Sequence, residues 1–304
     1  MRTAAWPLSA AAALGLVACS ATANTAQPSA ASPASSHPRS TAAGAQPGTP
    51  RPAAPKPTPT PTPTPTVIVS QVRAPDGSAV TVARFTGPVR YRLHCGSQDP
   101  GPAALSVVRA GPRIGPAEQH HVVAAFNGGF LLSAGAGGYE QEGHVISPLR
   151  AGLASLVIDA SGAAHIGVWG AGLPGPHEAV VSVRQNLPPL VTGGEPSPAA
   201  ADWTAWGATL GGGEYVARSA LGETASGQLV YAASMSTTPG DLAAALVQAG
   251  ARTAMELDIN PEWVQLDAAG APGGPLHAVI PGQVRPASQY LAGWTRDFVT
   301  VLAG

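Results

Sequence analysis

The sequence predicts an α+β domain, a mixed α/β fold in which one large, mixed and strongly twisted sheet carries few short helices. Three observations predict it. Apolar residues recur at period 2 in a succession of short runs separated by turns rich in Gly, Pro, Asp and Ser. Only the stretch 238–250 combines helical spacing with both a start and a stop signal. The order strand, short helix, strand around it favours a right-handed parallel crossover over a hairpin.

The chain opens Met1-Arg2 and runs through small apolar residues to Leu16-Val17-Ala18-Cys19. A positive start followed by an apolar run too short to span a bilayer describes an export signal over 1–18. A cysteine directly after small residues resembles a bacterial lipoprotein box, with cleavage before Cys19 and lipidation of its thiol. That resemblance implies a protein exported to the outer face of the bacterial cell membrane and held there by acyl chains. Each buried methylene would contribute about 0.8 kcal/mol.

Residues 19–66 are rich in Ser, Thr, Ala and Pro and end in PKPTPTPTPTPT. With no apolar periodicity, nothing there offsets the entropy of ordering, so a disordered linker is expected. The Pro-Thr run would act as a semi-extended spacer of up to about 3.1 Å per residue. A folded domain is expected over 67–304, long enough for one sizeable core.

All 17 acidic residues lie beyond position 66, whereas four of the 16 basic ones (Arg2, Arg39, Arg51 and Lys56) lie before it, so the folded part carries a formal charge of −5. It contains no lysine and no basic cluster, which argues against a nucleic-acid partner. Cys95 has no partner once Cys19 is acylated, so no internal disulfide is expected.

In order, 67–73 and Ala79–Phe85 flank the turn Pro75-Asp-Gly-Ser78 as an opening hairpin, and Val89–Leu93 alternates as a third strand with Arg90 and Arg92 on its polar face. His121–Phe126 is a buried strand that stops in Asn127-Gly128-Gly129. A second glycine-rich loop, Gly135–Tyr139, is expected to line the same pocket. Leu153–Asp159 and Ala164–Trp169 form a hairpin, and Ala179–Val183 a further strand. Glu195–Gly213, with Trp203 and Trp206, has no clean period and reads as a long loop or lid. Glu214–Ala220 is short and mixed, with Arg218 alone among small and apolar residues, while Asp267–Gly270 reads as a turn and Phe298–Leu302 as a final strand.

The helix begins at Thr238 as N-cap, with Pro239 at its first position and Asp241 where a capping box places an acid; Gly250 ends it in a left-handed turn. The strand that follows holds the sharpest conflict between periodicity and charge. At period 2, Met255, Leu257 and Ile259 share one face, leaving Glu256, Asp258 and Asn260 on the other. Two acids spaced by about 6.6 Å, at roughly 3.3 Å per residue, suit a shared ligand, a sugar or a metal. Hard oxygen ligands from Glu256, Asp258 and Asn260 would suit a divalent cation such as Ca or Mg. The same acids would equally serve as an exposed strand face or as a buried ion pair with an arginine. Arg218 is in turn either a structural counter-ion or a phosphate clamp. No histidine spacing suggests zinc, and neither a Gly-x-Ser-x-Gly elbow nor a His-Glu-x-x-His helix is present.

Ala125-Phe-Asn127-Gly-Gly-Phe130, Gly137-Gly-Tyr139 with Gly143, Arg218-Ser-Ala-Leu-Gly222 ahead of a strand, and Glu256-Leu-Asp258 after a helix occur in that order. Together, over roughly 90–300, they resemble the phosphodiester glycosidase family. The resemblance implies hydrolysis of a sugar 1-phosphodiester at its glycosidic bond, releasing sugar and a phosphomonoester. It matches Asn127, Gly128 and Gly129 to the family's Asn-Gly-Gly loop, Arg218 to its arginine and Asp258 to its aspartate. The expected roles are a phosphate clamp for Arg218, and nucleophile or base with electrostatic stabilisation for Asp258 and Glu256. Asn127, Gly128, Gly129, Tyr139 and Asn260 are expected to bind the substrate. Where the family commonly continues from its aspartate into glycines, this chain has Ile259-Asn260-Pro261. That departure points to a different substrate or to a tethered glycan-binding or envelope-organising relative without catalysis.

Overall fold

The computed structural model describes residues 64–207 and 212–304. The signal segment, Cys19 and most of the linker lie outside the described residues. The strands, in chain order, are β1 Thr66–Arg73, β2 Ala79–Thr86, β3 Val89–His94, β4 Val122–Asn127, β5 Tyr139–Gln141, β6 His144–Ser147, β7 Ala154–Asp159, β8 Ala164–Val168 and β9 Val180–Asn186. They continue as β10 Val191–Thr192, β11 Glu195–Pro196, β12 Val216–Thr224, β13 Leu229–Thr237, β14 Ala251–Asp258, β15 Leu266–Ala269, β16 Leu276–Ala278 and β17 Phe298–Ala303. Of the helices α1 Pro102–Leu105, α2 Pro116–Gln119, α3 Pro239–Gln248 and α4 Gln289–Ala292, only α3 exceeds four residues.

The class is α+β, and the strands divide among three sheets. The first runs β1-β2-β13-β12-β14-β10-β11, the second β16-β15-β4-β17-β3 and the third β6-β5-β9-β7-β8. Every pairing between these strands is antiparallel. The expected crossover is thereby altered. β13 and β14 do run parallel to each other around α3, but β12 lies between them and pairs antiparallel with both. Residues 216–220 therefore belong to a nine-residue central strand, Val216–Thr224.

The first sheet is apolar on both faces, which period-2 alternation alone does not announce. One face, with Ala83, Leu221, Tyr231, Met255 and Leu257, meets Phe126 and Val299 of the second sheet and Leu156 and Ile166 of the third in the main core. The other face, with Val82, Ala220, Val230, Ala232 and Ala254, is covered by Leu242, Ala245 and Leu246 of α3 and by Leu190 and Trp206. At the start of α3 the Thr238 hydroxyl accepts from Asp241 N at 3.1 Å and donates to the Asp241 carboxylate at 2.6 Å, and Gly250 closes it at φ +90°.

Other differences have local causes. Asp267–Ala269 is not a turn but belongs to β15, because its backbone pairs with β4 and β16. β9 runs on through Arg184, Gln185 and Asn186, all buried and polar, beyond the apolar residues that mark its start. Within 195–207, Trp206 is buried and donates its indole N–H to Ala199 O at 2.8 Å, so it packs rather than presenting a face to solvent. Cys95 is a free, buried thiol.

Candidate active site

The ends of β4, β14 and β17 meet beside the start of β15. Phe298 pairs with Asn127 across β17 and β4, which sets Asp297 beside Gly128: Gly128 N donates to Asp297 O at 2.8 Å, and Gly129 N to Asp297 Oδ2 at 3.2 Å. From the other side, Ser219 of β12 pairs with Asp258 of β14, and its hydroxyl links the Asn127 amide (3.0 Å) to Asp258 N (3.2 Å).

The register of β14 decides which acids face this junction. Ser219 pairs with Asp258 and Ala220 with Glu256, so Leu257 is an extra residue opposite no partner, a one-residue bulge. Cross-strand partners project to the same face, and Ser219 and Ala220 project to opposite ones. Glu256 and Asp258 therefore do not share a side. This corrects the period-2 reading, and with it the convergence of Glu256, Asp258 and Asn260 on one cation. Among the described residues, no group of three or more His, Cys, Asp or Glu side chains is arranged to hold a metal ion.

Asp258 lies on the junction side. Its Oδ1 accepts from Ile259 N (2.7 Å) and Asn260 N (2.9 Å), and its Oδ2 accepts from Arg296 Nη1 (2.8 Å). Burial pushes its carboxyl up to about 6, against the pull of Arg296 and the two amides. With Asn127, Gly128, Gly129, Trp263, Tyr290, Arg296 and Asp297 it lines a cavity of only about 10 Å³, room for about one water. Trp263 of that lining packs against Trp294, ring centres 5.5 Å apart, and Arg285 lies over both indoles, its Cζ 4.8 Å from the Trp263 ring centre and 4.7 Å from that of Trp294. Arg296 stacks on Trp263 at 4.6 Å. Trp294 is about half exposed and Arg285 pairs with Glu262 at 2.7 Å, so this cluster reaches the surface.

Glu256 faces the α3 side, where it pairs with Arg218 at 2.7 Å; both side chains are fully buried. Arg218 also donates to Trp206 O (3.0 Å) and Thr237 O (3.2 Å). Burial raises the Glu256 carboxyl, opposed by Arg218. One nitrogen of Arg218 (Nη2) and one oxygen of Glu256 (Oε2) find no partner among the described residues. The pair sits behind the bulge that presents Asp258, and Arg218 does not line the Asp258 cavity.

The remaining expected ligand-binding residues are also bonded or packed within the fold, Asn127, Gly128 and Gly129 while lining the cavity. The Asn127 amide donates to Gly128 O and Ser219 Oγ, and its carbonyl accepts from Tyr231 OH (2.8 Å) and Gln265 N (3.2 Å). A Cβ on Gly128 would collide with Asp297, one on Gly129 with Asn186 and Arg184, and one on Gly137 with Gln185. Both glycine pairs thus lie close against neighbouring strands, and Gly137-Gly138 does not line the Asn127 cavity as expected. Tyr139 is buried, bonded to Gln141 and 5.7 Å from Arg184. Asn260 closes a turn, its side chain accepting from Glu262 N at 3.0 Å.

Residues the sequence reading did not assign are Arg296, Asp297, Trp263, Tyr290 and Arg184. Arg184 and Asp297 form a second buried pair at 2.8 Å that braces the Gly129 turn. The available signal was Trp294-Thr-Arg296-Asp297 placed directly ahead of an apolar strand.

No family model matches the chain, and no curated protein matches it in sequence. Among solved structures, the zebrafish N-acetylglucosamine-1-phosphodiester α-N-acetylglucosaminidase catalytic domain auto-inhibited by pro-peptide is similar at 13% identity and a TM-score of 0.46. That match covers 81% of this chain and 84% of the zebrafish one. A hypothetical protein from Synechocystis is similar at 13% identity and a TM-score of 0.44, over 79% of this chain and 62% of that one.

Proposed function

We propose that this protein is a hydrolase that cleaves the glycosidic bond of a sugar 1-phosphodiester in envelope or extracellular glycans, tethered to the outer face of a bacterial membrane through Cys19 and the 19–66 spacer. The supporting observation is Asp258, a buried carboxylate raised to about 6 and paired with Arg296 beside the Asn127-Gly128-Gly129 loop. The sequence resemblance of that loop, Arg218 and Asp258 to phosphodiester glycosidases supports the same reading.

In this proposal the substrate phosphate takes Arg296 from Asp258, which frees Oδ2. The ionised Asp258 then acts at the anomeric carbon, directly or through a water whose proton it accepts. The bond broken joins the anomeric carbon to oxygen; water supplies hydroxide to the sugar and a proton to the departing phosphomonoester, a good leaving group. Arg218 and Glu256 take a positioning role, bracing the bulge from the α3 side. Because the cavity holds about one water, Trp263 and the Arg285 and Trp294 side chains packed on it must move aside to admit a sugar.

The small cavity and the full hydrogen bonding of Asp258 favour a second reading, a tethered glycan-binding protein without turnover. A screen of defined sugar 1-phosphodiesters for release of phosphate-terminated product separates the two. Turnover supports the hydrolase, whereas saturable binding with no product across the panel supports the binding protein.

A further inference from the structure

A second cleft, of about 450 Å³, opens between the second and third sheets and shares no lining residue with the Asp258 cavity. Its volume falls within the range of about 300 to 1,000 Å³ usual for small-ligand sites. β3 is the outer strand of the second sheet, and the β7–β8 turn docks on it through Tyr91 N to Gly162 O at 2.7 Å, fixing the two walls.

Arg90 and Arg92 project from β3 at period 2, and Arg109 reaches in from the loop before α2. Each guanidinium carries five N–H donors. Among the described residues their side chains make one hydrogen bond, Arg90 Nη2 to Ala303 O at 3.4 Å. Arg92 and Arg109 have only loose ion pairs, with Glu118 at 3.7 Å and Glu142 at 3.4 Å, and their side chains are 55% and 91% exposed.

Glu118, Glu142 and Asp159 balance the three arginines in formal charge, but four of their six carboxylate oxygens are bonded to the protein. Glu142 accepts from Arg109 N (2.7 Å) and Ala110 N (3.1 Å). Asp159 Oδ1 accepts from Ser161 N, Ser161 Oγ and Ala163 N, and Glu118 Oε1 meets His94 Nε2 and Thr300 Oγ1. Asp159 Oδ2 and Glu118 Oε2 accept no hydrogen bond among the described residues, but most of the acidic oxygens are engaged by the protein while most of the guanidinium donors face solvent. A planar fork of this kind matches phosphate or carboxylate oxygens in pairs, and the volume of the cleft leaves room beside them for a ring of monosaccharide size.

We propose that this cleft binds an oxyanion carried on a saccharide-sized ligand, a sugar phosphate or sugar carboxylate. The proposal is independent of any reaction at Asp258. Calorimetric titration of the full-length protein with glucose 1-phosphate, glucuronate, inorganic phosphate and glucose tests it. Saturable binding of glucose 1-phosphate or glucuronate is expected, with whichever binds tighter identifying the anion, and none of glucose. Affinity should fall with added salt and by about tenfold or more in the Arg92→Ala/Arg109→Ala variant, while remaining unchanged in Asp258→Asn. Circular dichroism checks the fold of each variant, and Arg109→Ala alone, at the more exposed position, should show a smaller loss in the same direction. Three results would overturn the site: no saturable binding of either sugar anion, affinity unaltered in folded arginine variants, or loss of binding in Asp258→Asn instead.

Discussion

Glu256 and Asp258, two residues apart in β14, face opposite sides of the first sheet because Leu257 between them has no partner on β12. A bulge that re-aims one side chain separates a buried structural pair from an acid at a cleft. Arg218 and Glu256 brace the strand from behind, and Asp258 meets Arg296 in front.

If Arg218 and Glu256 act as a unit, removing one partner strands the other in the interior. Arg218→Ala and Glu256→Ala should each lose about 3 to 5 kcal/mol of stability, and the double substitution much less than the sum. Urea unfolding of the two single variants and the double variant measures this. Additive losses would mean that the pair is not coupled.

Asn127 joins β4 to Ser219, Tyr231 and Gln265 through both ends of its amide. Asn127→Ala should therefore lower stability by about 3 kcal/mol, since it leaves buried donors and an acceptor without partners. An urea midpoint equal to wild type would instead return Asn127 to the ligand-contacting role that its sequence motif suggests.

Much of the scaffold was legible in the chain because the cues are local. Thr238, Pro239 and Gly250 mark the ends of α3, and the Pro75–Ser78 and Ala160–Gly162 turns mark two hairpins. The site was legible only in part. Asp258 and the Asn127 loop could be picked out by residue type, but which way Asp258 points depends on a register shift against β12, a strand more than thirty residues away in sequence. The extent of β9 was hidden because Arg184, Gln185 and Asn186 are polar yet buried, each satisfied by partners distant in sequence. Arg296 and Asp297 enter the site only through the pairing of β17 with β4.

The pH dependence of stability reports on Asp258. Its folded value of about 6 lies above an unfolded value near 3.9, so the folded protein holds this proton more tightly. The resulting stabilisation is present in full below about pH 4 and is lost as pH rises through about 6. The unfolding free energy of wild type minus that of Asp258→Asn should fall by up to about 3 kcal/mol between about pH 4 and pH 7.5. The other raised carboxyls, Asp99, Glu256 and Asp267, remain in both proteins and largely cancel in the difference. A flat difference would place Asp258 at its ordinary value.

Arg285 packs on Trp263, which lines the cavity, and on Trp294 beside it. Arg285→Ala should leave stability within about 1 kcal/mol of wild type while loosening both indoles. Acrylamide quenching of tryptophan fluorescence should then increase. Quenching identical to wild type would show that the indole pair does not depend on this residue.

Turnover of a sugar 1-phosphodiester by wild type and by Asp258→Asn, with circular dichroism confirming that both are folded, tests the proposed chemistry most directly. Wild type should release phosphomonoester, and the variant should be slower by at least about a hundredfold. Equal rates in the two proteins would contradict the role given to Asp258.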